Sequence, residues 1–271
     1  MDNKRESKGW LERWRQRQKG FQLGQQMQLD REAITDRMER AELQVARPEL
    51  LTGGQRIAYE RSLNRKQRQQ RSLDVLDIPL EQLNVSVFDL ETTGFDPTRG
   101  DEIIAFGVQH VAGVEIAEGM GAQFYAEVNP GMKIPTHIQQ LTGITDEAVH
   151  GAPSVNEGLG QFFHFVGDRV LVAHASAHDK AFLRMALWRA VKKPFKHRII
   201  DTMVVARWLH PRLPAYTLDH LAAHYGIAVE RRHHALCDAQ VTAQLWTCLV
   251  KEAAERRVTT LGDMYMYLSR N

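Results

Sequence analysis

The order of apolar and polar residues changes near residue 83, where short apolar runs begin to alternate with turn residues. Residues 85–88, 103–111 and 121–128 form three such runs, and glycines lie between them. Apolar runs of this length, bounded by turn residues, are typical of β-strands. Because Gly-containing turns lie between the runs, the pattern predicts three strands linked as hairpins.

The second half of the chain alternates between helical and strand patterns. Ser154 and Glu157 have the spacing of a capping box, which predicts the start of a helix that carries three phenylalanines. Two further short apolar runs, at residues 170–173 and 198–200, predict strands. Hairpin strands followed by alternating helices and strands predict an α/β fold with a mixed sheet. The predicted helices after the capping box are residues 179–191, 202–209, 217–225, 235–255 and 260–269.

The first 80 residues have a different composition, because they are rich in Gln and Arg and poor in β-branched residues. Ile34, Met38, Ala41 and Val45 form a narrow apolar stripe of helical spacing, which predicts amphipathic helices. The predicted domains are a helical extension and linker at residues 1–80, an α/β domain at residues 81–255 and a C-terminal helical tail at residues 256–271.

Charge separates the extension from the rest of the chain. Residues 1–80 contain 17 Lys and Arg against 12 Asp and Glu, a net charge of +5. Residues 81–271 contain 18 against 21, a net charge of −3. This division fits a solvated helical extension beside an ordinary domain. It also fits a basic arm that meets nucleic acid or an acidic partner, and the composition leaves both interpretations open.

Composition excludes some classes of protein. Hydrophobic residues make up 43% of the chain and charged residues 25%, which excludes a wholly disordered protein. No uncharged apolar run approaches the roughly 20 residues that span a bilayer, and no apolar segment follows the charged start. Cys237 and Cys248 lie on one predicted helix, about 16 Å apart and too far for a disulfide. We therefore expect a soluble, cytoplasmic protein with no membrane partner.

Carboxylates follow the predicted strands. Asp89 and Glu91 stand at the carboxyl end of the first strand, and residues i and i+2 of an extended chain point to the same face. Asp179 follows the fourth strand, and Asp238 lies on a late helix five residues after His233. Each element alone is a weak signal, because surface carboxylates and helix caps produce the same pattern.

Together, these four carboxylates pose an electrostatic problem. Two unit charges about 4 Å apart repel by roughly 4 kcal/mol at an effective dielectric constant near 20. Either the pKa values of the acids rise or divalent cations lie among them. Oxygen ligands favour Mg²⁺ or Mn²⁺, and two such ions about 3.5–4 Å apart can serve an in-line phosphoryl displacement. A nearby histidine can deprotonate the attacking water.

Three segments resemble the motifs of a known family. Residues 87–94 are Val-Phe-Asp-Leu-Glu-Thr-Thr-Gly, residues 171–179 are Leu-Val-Ala-His-Ala-Ser-Ala-His-Asp, and residues 233–240 are His-His-Ala-Leu-Cys-Asp-Ala-Gln. They resemble the motifs of the DEDDh (DnaQ-like) 3′–5′ exonucleases, the type related to the epsilon proofreading subunit of bacterial DNA polymerase III. Residues 141–147 and 217–219 also match the pattern of that family.

The resemblance spans about residues 83–250 and implies a ribonuclease H-like fold, with a mixed five-stranded sheet flanked by helices. It implies that four acids bind two Mg²⁺ or Mn²⁺ ions, with Asp89 as the bridge between them. It also implies a histidine general base, which by the family's spacing is His233 rather than His234. The implied metal ligands are Asp89, Glu91, Asp179 and Asp238.

Residues near the motifs would contact the terminal nucleotide. The resemblance assigns this role to Thr92, Thr93 and Gly94, where a residue without Cβ lets the backbone come close. Leu141 would pack against the terminal base, with a plain core leucine as the competing interpretation. His178 would add a donor near the phosphate.

Two positions depart from the family's second motif. The family usually has Asn where Ala175 stands and an aromatic residue where His178 stands. The loss of the amide bears on substrate positioning and rate, while all four metal ligands are intact.

Other interpretations compete locally. His224, His233, His234 and Cys237 could bind zinc, but the last three crowd one helical turn and no Cys-x2-Cys pair exists. Asp201 ends a predicted strand and is expected to cap the next helix rather than to assist the site.

The sequence therefore predicts a metal-dependent 3′–5′ exonuclease that hydrolyses phosphodiester bonds at the 3′ end of DNA and releases nucleoside 5′-monophosphates. The expected partners are nucleic acid with a free 3′ end, with single-stranded DNA favoured, and a replication or repair protein docked by residues 1–80. One alternative is an enzyme that trims RNA, which contacts to the 2′-OH would distinguish. The other is a tethering module with a weak site, against which the intact acids and histidine argue.

Overall fold

The computed structural model describes residues 75–269 of the chain. The chain divides into two units, Met1–Gln69 and Gln70–Asn271, and the described residues belong to the second unit. The helices and the apolar stripe predicted within residues 1–74 lie outside the described residues, so they stay predictions.

A mixed sheet forms the centre of the described domain. Its strands are β1 (Asn84–Thr92), β2 (Ile103–Ala112), β3 (Glu115–Ile116), β4 (Gln123–Glu127), β5 (Val170–Ala173) and β6 (Ile199–Asp201). The strand order is β3-β2-β1-β5-β6, and β4 also pairs with β2. β1 pairs antiparallel with β2 and parallel with β5, which pairs parallel with β6. The predicted mixed sheet is confirmed, and β3 adds a sixth strand of two residues, too short for a periodic sequence pattern.

Helices flank this sheet. The capping box is confirmed, because Ser154 N donates to Glu157 Oε2 at 2.8 Å while Glu157 N donates to Ser154 Oγ at 3.4 Å. Two short helices after β4 were not predicted, because seven and four residues carry little periodicity. The helices are α1 (Thr136–Thr142), α2 (Asp146–Val149), α3 (Val155–Val166), α4 (Ala177–Val191), α5 (Thr202–Leu209), α6 (Leu218–Tyr225), α7 (Ala235–Glu255) and α8 (Leu261–Leu268).

The alternation of side chains along β1 decides where the acids lie. Val85 and Val87 pack in one core cluster with residues of α5 to α8. Phe88 packs in a second cluster, with residues of α3 and α4. Since successive residues of a strand point to opposite faces, Asp89 and Glu91 continue the series of the two valines. Both carboxylates therefore lie on the face of the sheet that α7 covers.

Gly107 lets α7 approach the sheet. This glycine of β2 is paired in register with Asp89 of β1. A Cβ at Gly107 would collide with the backbone of Ala235 and Leu236, at the start of α7. Without a side chain at this position, the first turn of α7 comes close to the end of β1, and with it comes Asp238.

The packing of the domain continues across both predicted boundaries. Leu80 is buried in the core, and its backbone N–H donates to the carbonyl of Thr259 at 2.7 Å. Leu261 and Met264 of α8 are buried in the same cluster. Residues 75–80 and the C-terminal helix are therefore parts of the folded domain. No helix among residues 75–269 is long and apolar enough to cross a membrane, and Cys237 and Cys248 are free thiols.

Candidate active site

Three of the four predicted metal-binding acids meet at the carboxyl end of β1. Asp89, Glu91 and Asp238 each offer a carboxylate oxygen, and these atoms all lie within 4.8 Å of one another. Within residues 75–269 this is the one group of His, Cys, Asp or Glu side chains with such geometry. The described structure therefore does not assemble the alternative zinc ligands of the sequence.

Asp179 lies beside this acidic cluster rather than within it. The residue is in the first turn of α4 and is only 4% exposed. Its charge acts on both Asp89 and Glu91. The fourth acid therefore lies close enough to the acids of β1 to interact with them electrostatically.

Burial and mutual repulsion disfavour ionisation of Asp89, Glu91 and Asp179. The pKa of Glu91 is raised to about 8, first by burial and then by the charges of Asp238 and Asp179. Burial is also the main cause that raises the pKa of Asp179 to about 7. The pKa of Asp89 is raised well above its ordinary value by burial and by the neighbouring acids. Positive charge is scarce at this site, and a divalent cation would favour the ionised carboxylates.

Arg232 supplies part of the missing positive charge, and sequence reasoning did not identify it. Its guanidinium forms an ion pair with Asp238, and its Nε lies 2.6 Å from Oδ1 of Asp219. Its charge lowers the pKa values of Asp89 and Glu91, against the larger effect of burial. The available signal was the need of four clustered acids for a nearby cation.

A cavity of about 320 Å³ opens onto the acidic cluster. It exposes the acids of β1 and α7 to a space that can admit a ligand. Asp179 does not line it, which agrees with the position of this acid behind the cluster. The lining residues are Asp89, Leu90, Glu91, His174, Ala175, Met203, Thr217, Leu218, Arg232, His233 and Asp238.

The two adjacent histidines before α7 have different environments. His233 lines the cavity, has a positive φ of 57° and donates its backbone N–H to Oδ2 of Asp238 at 3.0 Å. His234 is the N-cap of α7, where its Nδ1 accepts the N–H of Cys237 at 3.3 Å. Its ring also stacks on Tyr125 with 4.5 Å between centroids. His234 therefore has a structural role at the start of α7.

The predicted nucleotide contacts lie next to the cluster, after β1 turns away from the sheet. Thr92 Oγ1 donates to the carbonyl of Gly94 at 2.7 Å, and Thr93 Oγ1 accepts the N–H of Glu102 at 3.0 Å. A Cβ at Gly94 would collide with the carboxylate of Asp101. The position of this carboxylate explains why a glycine is needed here. The contact of Gly94 with a nucleotide stays a prediction.

His178 is in the first turn of α4, and its side chain contacts the end of β1. Its Nε2 is 3.2 Å from Thr92 Oγ1, and its ring contacts Phe182 and Phe95 at centroid distances of 4.7 and 5.9 Å. Burial lowers the pKa of His178, which favours the neutral ring at neutral pH. Phe95 is 85% exposed beside the site and was not identified from the sequence. Leu141 is 49% exposed on α1, which does not fit a core leucine.

The loop of the second motif is held by Asp201. The carboxylate of Asp201 accepts the backbone N–H groups of Ala175 at 3.1 Å and Ser176 at 2.8 Å. The same carboxylate caps α5 by accepting the N–H of Met203 at 2.9 Å, so the predicted cap is confirmed. Ala175 has a positive φ of 53°, a conformation that Asn tolerates better than Ala. The departure at this position therefore places a less suitable residue at a strained point of the cavity wall.

A mixed sheet flanked by helices, with carboxylates gathered at the end of its central strand, defines a ribonuclease H-like nuclease fold. The family model described as Exonuclease (RNase_T) matches residues 86–246, more than half of the chain. The chain therefore belongs to this exonuclease family, whose members generally use divalent metal ions.

Curated relatives share this domain. The chain is 38% identical over 184 residues to the PolC-type DNA polymerase III of Clostridium perfringens, covering 66% of this chain and 12% of the relative. It is 36% identical over 191 residues to the DNA polymerase III subunit epsilon-like protein of Rhodobacter capsulatus, covering 69% of this chain and 26% of the relative. The chain thus spans only about an eighth of the polymerase and about a quarter of the epsilon-like protein.

Solved structures show the same fold at lower identity. E. coli exonuclease I in complex with a dT13 oligonucleotide is 16% identical, with a TM-score of 0.56 over 65% of this chain and 43% of that chain. Exonuclease X in complex with 5′ overhanging duplex DNA is 21% identical, with a TM-score of 0.52 over 68% of this chain and 99% of that chain. At these identities the likeness establishes the fold.

Proposed function

We propose that this protein is a metal-dependent 3′–5′ exonuclease that hydrolyses the phosphodiester bond at the 3′ end of DNA and releases nucleoside 5′-monophosphates. The observation that carries the proposal is the largely buried cluster of Asp89, Glu91 and Asp238, which opens on one cavity together with His233. Asp179 lies behind this cluster. Membership of the exonuclease family supplies the reaction class.

The residues present fit divalent cations. The donors are carboxylate oxygens, which suit Mg²⁺ or Mn²⁺ better than zinc. The negative charge of the acids is only partly compensated. Among the described residues, Arg232 is the cation that pairs with one of them, Asp238. Asp89, Glu91, Asp179 and Asp238 would hold two ions, with Asp89 as the shared ligand. Such ions supply Lewis-acid stabilisation of the negative charge that develops on the reacting phosphate.

His233 acts as the general base in this proposal. His233 lines the cavity, and no hydrogen bond joins its ring to any other residue in the described part of the chain. Its backbone N–H is bonded to Asp238, which holds the residue next to the acids. The ring is therefore available to take a proton from an attacking water. His234 is already committed to the cap of α7 and to Tyr125.

The names of the relatives and neighbours support DNA as the substrate. The relatives are named as DNA polymerase III proteins, and two structural neighbours hold a dT13 oligonucleotide or duplex DNA with a 5′ overhang. We propose single-stranded DNA with a free 3′ end as the preferred substrate. Residues 1–80 would dock a replication or repair protein, and the enzyme would act in the cytoplasm. Thr92, Thr93, Gly94, Leu141 and His178 remain the proposed nucleotide contacts.

The test uses the full chain with 5′-labelled single-stranded DNA and the matching RNA, in Mn²⁺, Mg²⁺ or EDTA. We expect a ladder that shortens from the 3′ end, requires metal and forms faster on DNA. Asp89→Asn is the inactive control, and Asp168→Asn, a change of an exposed acid, is the matched active control. Faster digestion of RNA would overturn the choice of substrate. Retained binding without cleavage in any metal would leave a tethering module.

A further inference from the structure

One helix and the segment after it concentrate the basic residues of the domain. Residues 180–198 contain seven Lys or Arg and no Asp or Glu. The remainder of residues 81–271 contains 11 Lys and Arg against 21 Asp and Glu, a net charge of −10. An acidic domain therefore carries one strongly basic segment. The seven residues are Lys180, Arg184, Arg189, Lys192, Lys193, Lys196 and Arg198.

Four exposed residues of this segment lie on one face of α4 and its C-cap. Lys180, Arg184, Trp188 and Lys192 are all exposed, and they are spaced four residues apart. Residues four apart on a helix are neighbours about 6 Å from each other along the axis. The four side chains, which we call the basic ridge, thus form a row about 18 Å long.

The cations of the basic ridge are available to a partner. Among the ion pairs of residues 75–269, none involves Lys180, Arg184 or Lys192. Arg189, one residue off this row, differs because it pairs with Glu102 and donates to the carbonyl of Pro97 at 2.7 Å. Its role is to hold the 3₁₀ turn at Pro97–Arg99, which follows β1, against α4.

Trp188 is the unusual member of the basic ridge. Its side chain is 53% exposed, although tryptophan has the largest apolar surface to bury. The Nζ of Lys192 lies 5.7 Å from the centroid of its ring. An exposed aromatic face interleaved with cations is the combination that single-stranded nucleic acids contact, because bases stack while phosphates pair.

The basic ridge begins one residue after Asp179, the acid that lies behind the cluster. Lys180 follows Asp179 directly, in the first turn of α4. The exposed ring of Phe95 lies against His178 in the same turn, at the entrance to this row. The ridge then leads away from the acids toward the far end of α4. This row offers a strand that ends at the acids a surface along which to continue.

We propose that the basic ridge binds the single-stranded nucleic acid that lies 5′ to the terminal nucleotide. The assignment rests on the proposed exonuclease function, which places the 3′ end at the acidic cluster. Lys180, Arg184 and Lys192 pair with successive phosphates, and Trp188 stacks on a base. The rest of the domain carries a net negative charge and repels phosphates. The strand is therefore expected to follow the basic ridge rather than the surrounding surface.

The test measures binding separately from hydrolysis, with the full chain in EDTA and fluorescein-labelled single-stranded DNA of 3 and 12 nucleotides. The ridge variant is Arg184→Ala with Lys192→Ala. Its matched control, Arg169→Ala with Lys251→Ala, removes two exposed cations elsewhere in the domain. We expect about a tenfold loss of affinity for the 12-mer in the ridge variant and a smaller loss for the trimer. The control stays within about twofold of wild type.

Two further readouts identify the contacts. The slope of log affinity against log salt concentration should fall by about 1.4 in the ridge variant, since each phosphate contact contributes about 0.7 on a single strand. Trp188→Ala should weaken 12-mer binding at least about fivefold, and Trp188→Phe should restore it to within about twofold. These effects require stacking rather than mere helix stability, which thermal unfolding of each variant checks.

The outcomes separate the ridge from the active site. Equal affinities of the ridge variant and its control for the 12-mer would overturn the proposal, even if wild type digests DNA. Loss of affinity for duplex DNA alone would overturn the choice of a single strand. A loss of affinity that is larger for the 12-mer than for the trimer would support binding by the ridge. Because affinity is measured in EDTA, this result does not depend on whether wild type cleaves DNA.

Discussion

Asp179 and Lys180 are neighbours in the sequence, yet they belong to two regions with opposite electrostatic properties. Asp179 is buried beside three other acids, and burial and repulsion raise the pKa values of Asp179, Asp89 and Glu91. Lys180 begins a row of exposed cations without ion-pair partners in the described part of the domain. One region concentrates like charge in the interior, and the other spreads like charge over a solvated helix face.

The difference shows how each charge becomes useful. Buried like charges interact strongly because solvent does not screen them, so a few contacts set the affinity for a compact, highly charged ion. Exposed cations interact weakly one by one and are screened by salt. They act together on an extended polyanion, where many weak contacts sum. The acidic cluster therefore suits metal binding, and the ridge suits a nucleic acid strand.

The largest effect should come from removing one acid of the cluster. Asp238→Ala should abolish hydrolysis, as should Asp89→Ala, because each removes a proposed metal ligand. Initial rates on 5′-labelled DNA in Mn²⁺ measure this loss, with Asp168→Ala as the control at an exposed acid. A residual rate above about a tenth of wild type would contradict the ligand assignment. Thermal unfolding in EDTA should show that both variants keep their fold, since Asp89→Ala relieves repulsion and Asp238→Ala leaves Arg232 paired with Asp219.

The two histidines give the next largest contrast. His233→Ala should slow hydrolysis by about 10²- to 10⁴-fold, because it removes the proposed general base. His234→Ala should retain most of the rate but lower the free energy of unfolding by about 1 kcal/mol, because it removes the cap of α7. Urea unfolding measures the second effect, and His234→Asn, which keeps a capping side chain, should reverse it. The opposite pattern would show that the two roles are exchanged.

The acidic cluster should also make stability depend on pH when metal is absent. The pKa of Glu91 rises from its ordinary value of 4.5 to about 8 on folding, so the folded protein holds a proton that the unfolded chain releases between these values. Stability in EDTA should therefore fall as pH rises from about 5 to about 8, and then level off. Melting temperatures across this range measure the effect, and Mg²⁺ or Mn²⁺ should reverse it above pH 7.

Glu91→Gln sharpens the same measurement. It removes one carboxyl that titrates, so the melting temperature in EDTA should fall less steeply with pH than in wild type. At pH 5 the two proteins should differ little, because the folded wild type keeps Glu91 protonated there. A wild-type curve that rises between pH 5 and 8 would mean that the buried acids are compensated by groups other than metal.

The sequence predicted the parts of the site that local patterns encode. Strand alternation placed Asp89 and Glu91 on one face, and the spacing of the third motif separated His233 from His234. Arg232 could not be predicted as the partner of Asp238, because that contact depends on the approach of α7 to the sheet. Asp101 could not be predicted beside Gly94 either, because the turn that brings it there carries no periodic sequence pattern. Short elements such as α1, α2 and β3 are held by their surroundings and leave little pattern of their own.

Gly107 shows that the geometry of the site depends on a residue with no chemical role of its own. It has no side chain and supplies no ligand, yet it lies opposite Asp89 on the neighbouring strand and sets the clearance between β2 and α7. A methyl group there would act as a spacer that moves Asp238 away from Asp89. In an activity screen such a variant would be indistinguishable from a lost ligand, although every metal-binding and proton-accepting group would still be present. The geometry of the site therefore depends partly on a position where a side chain is absent.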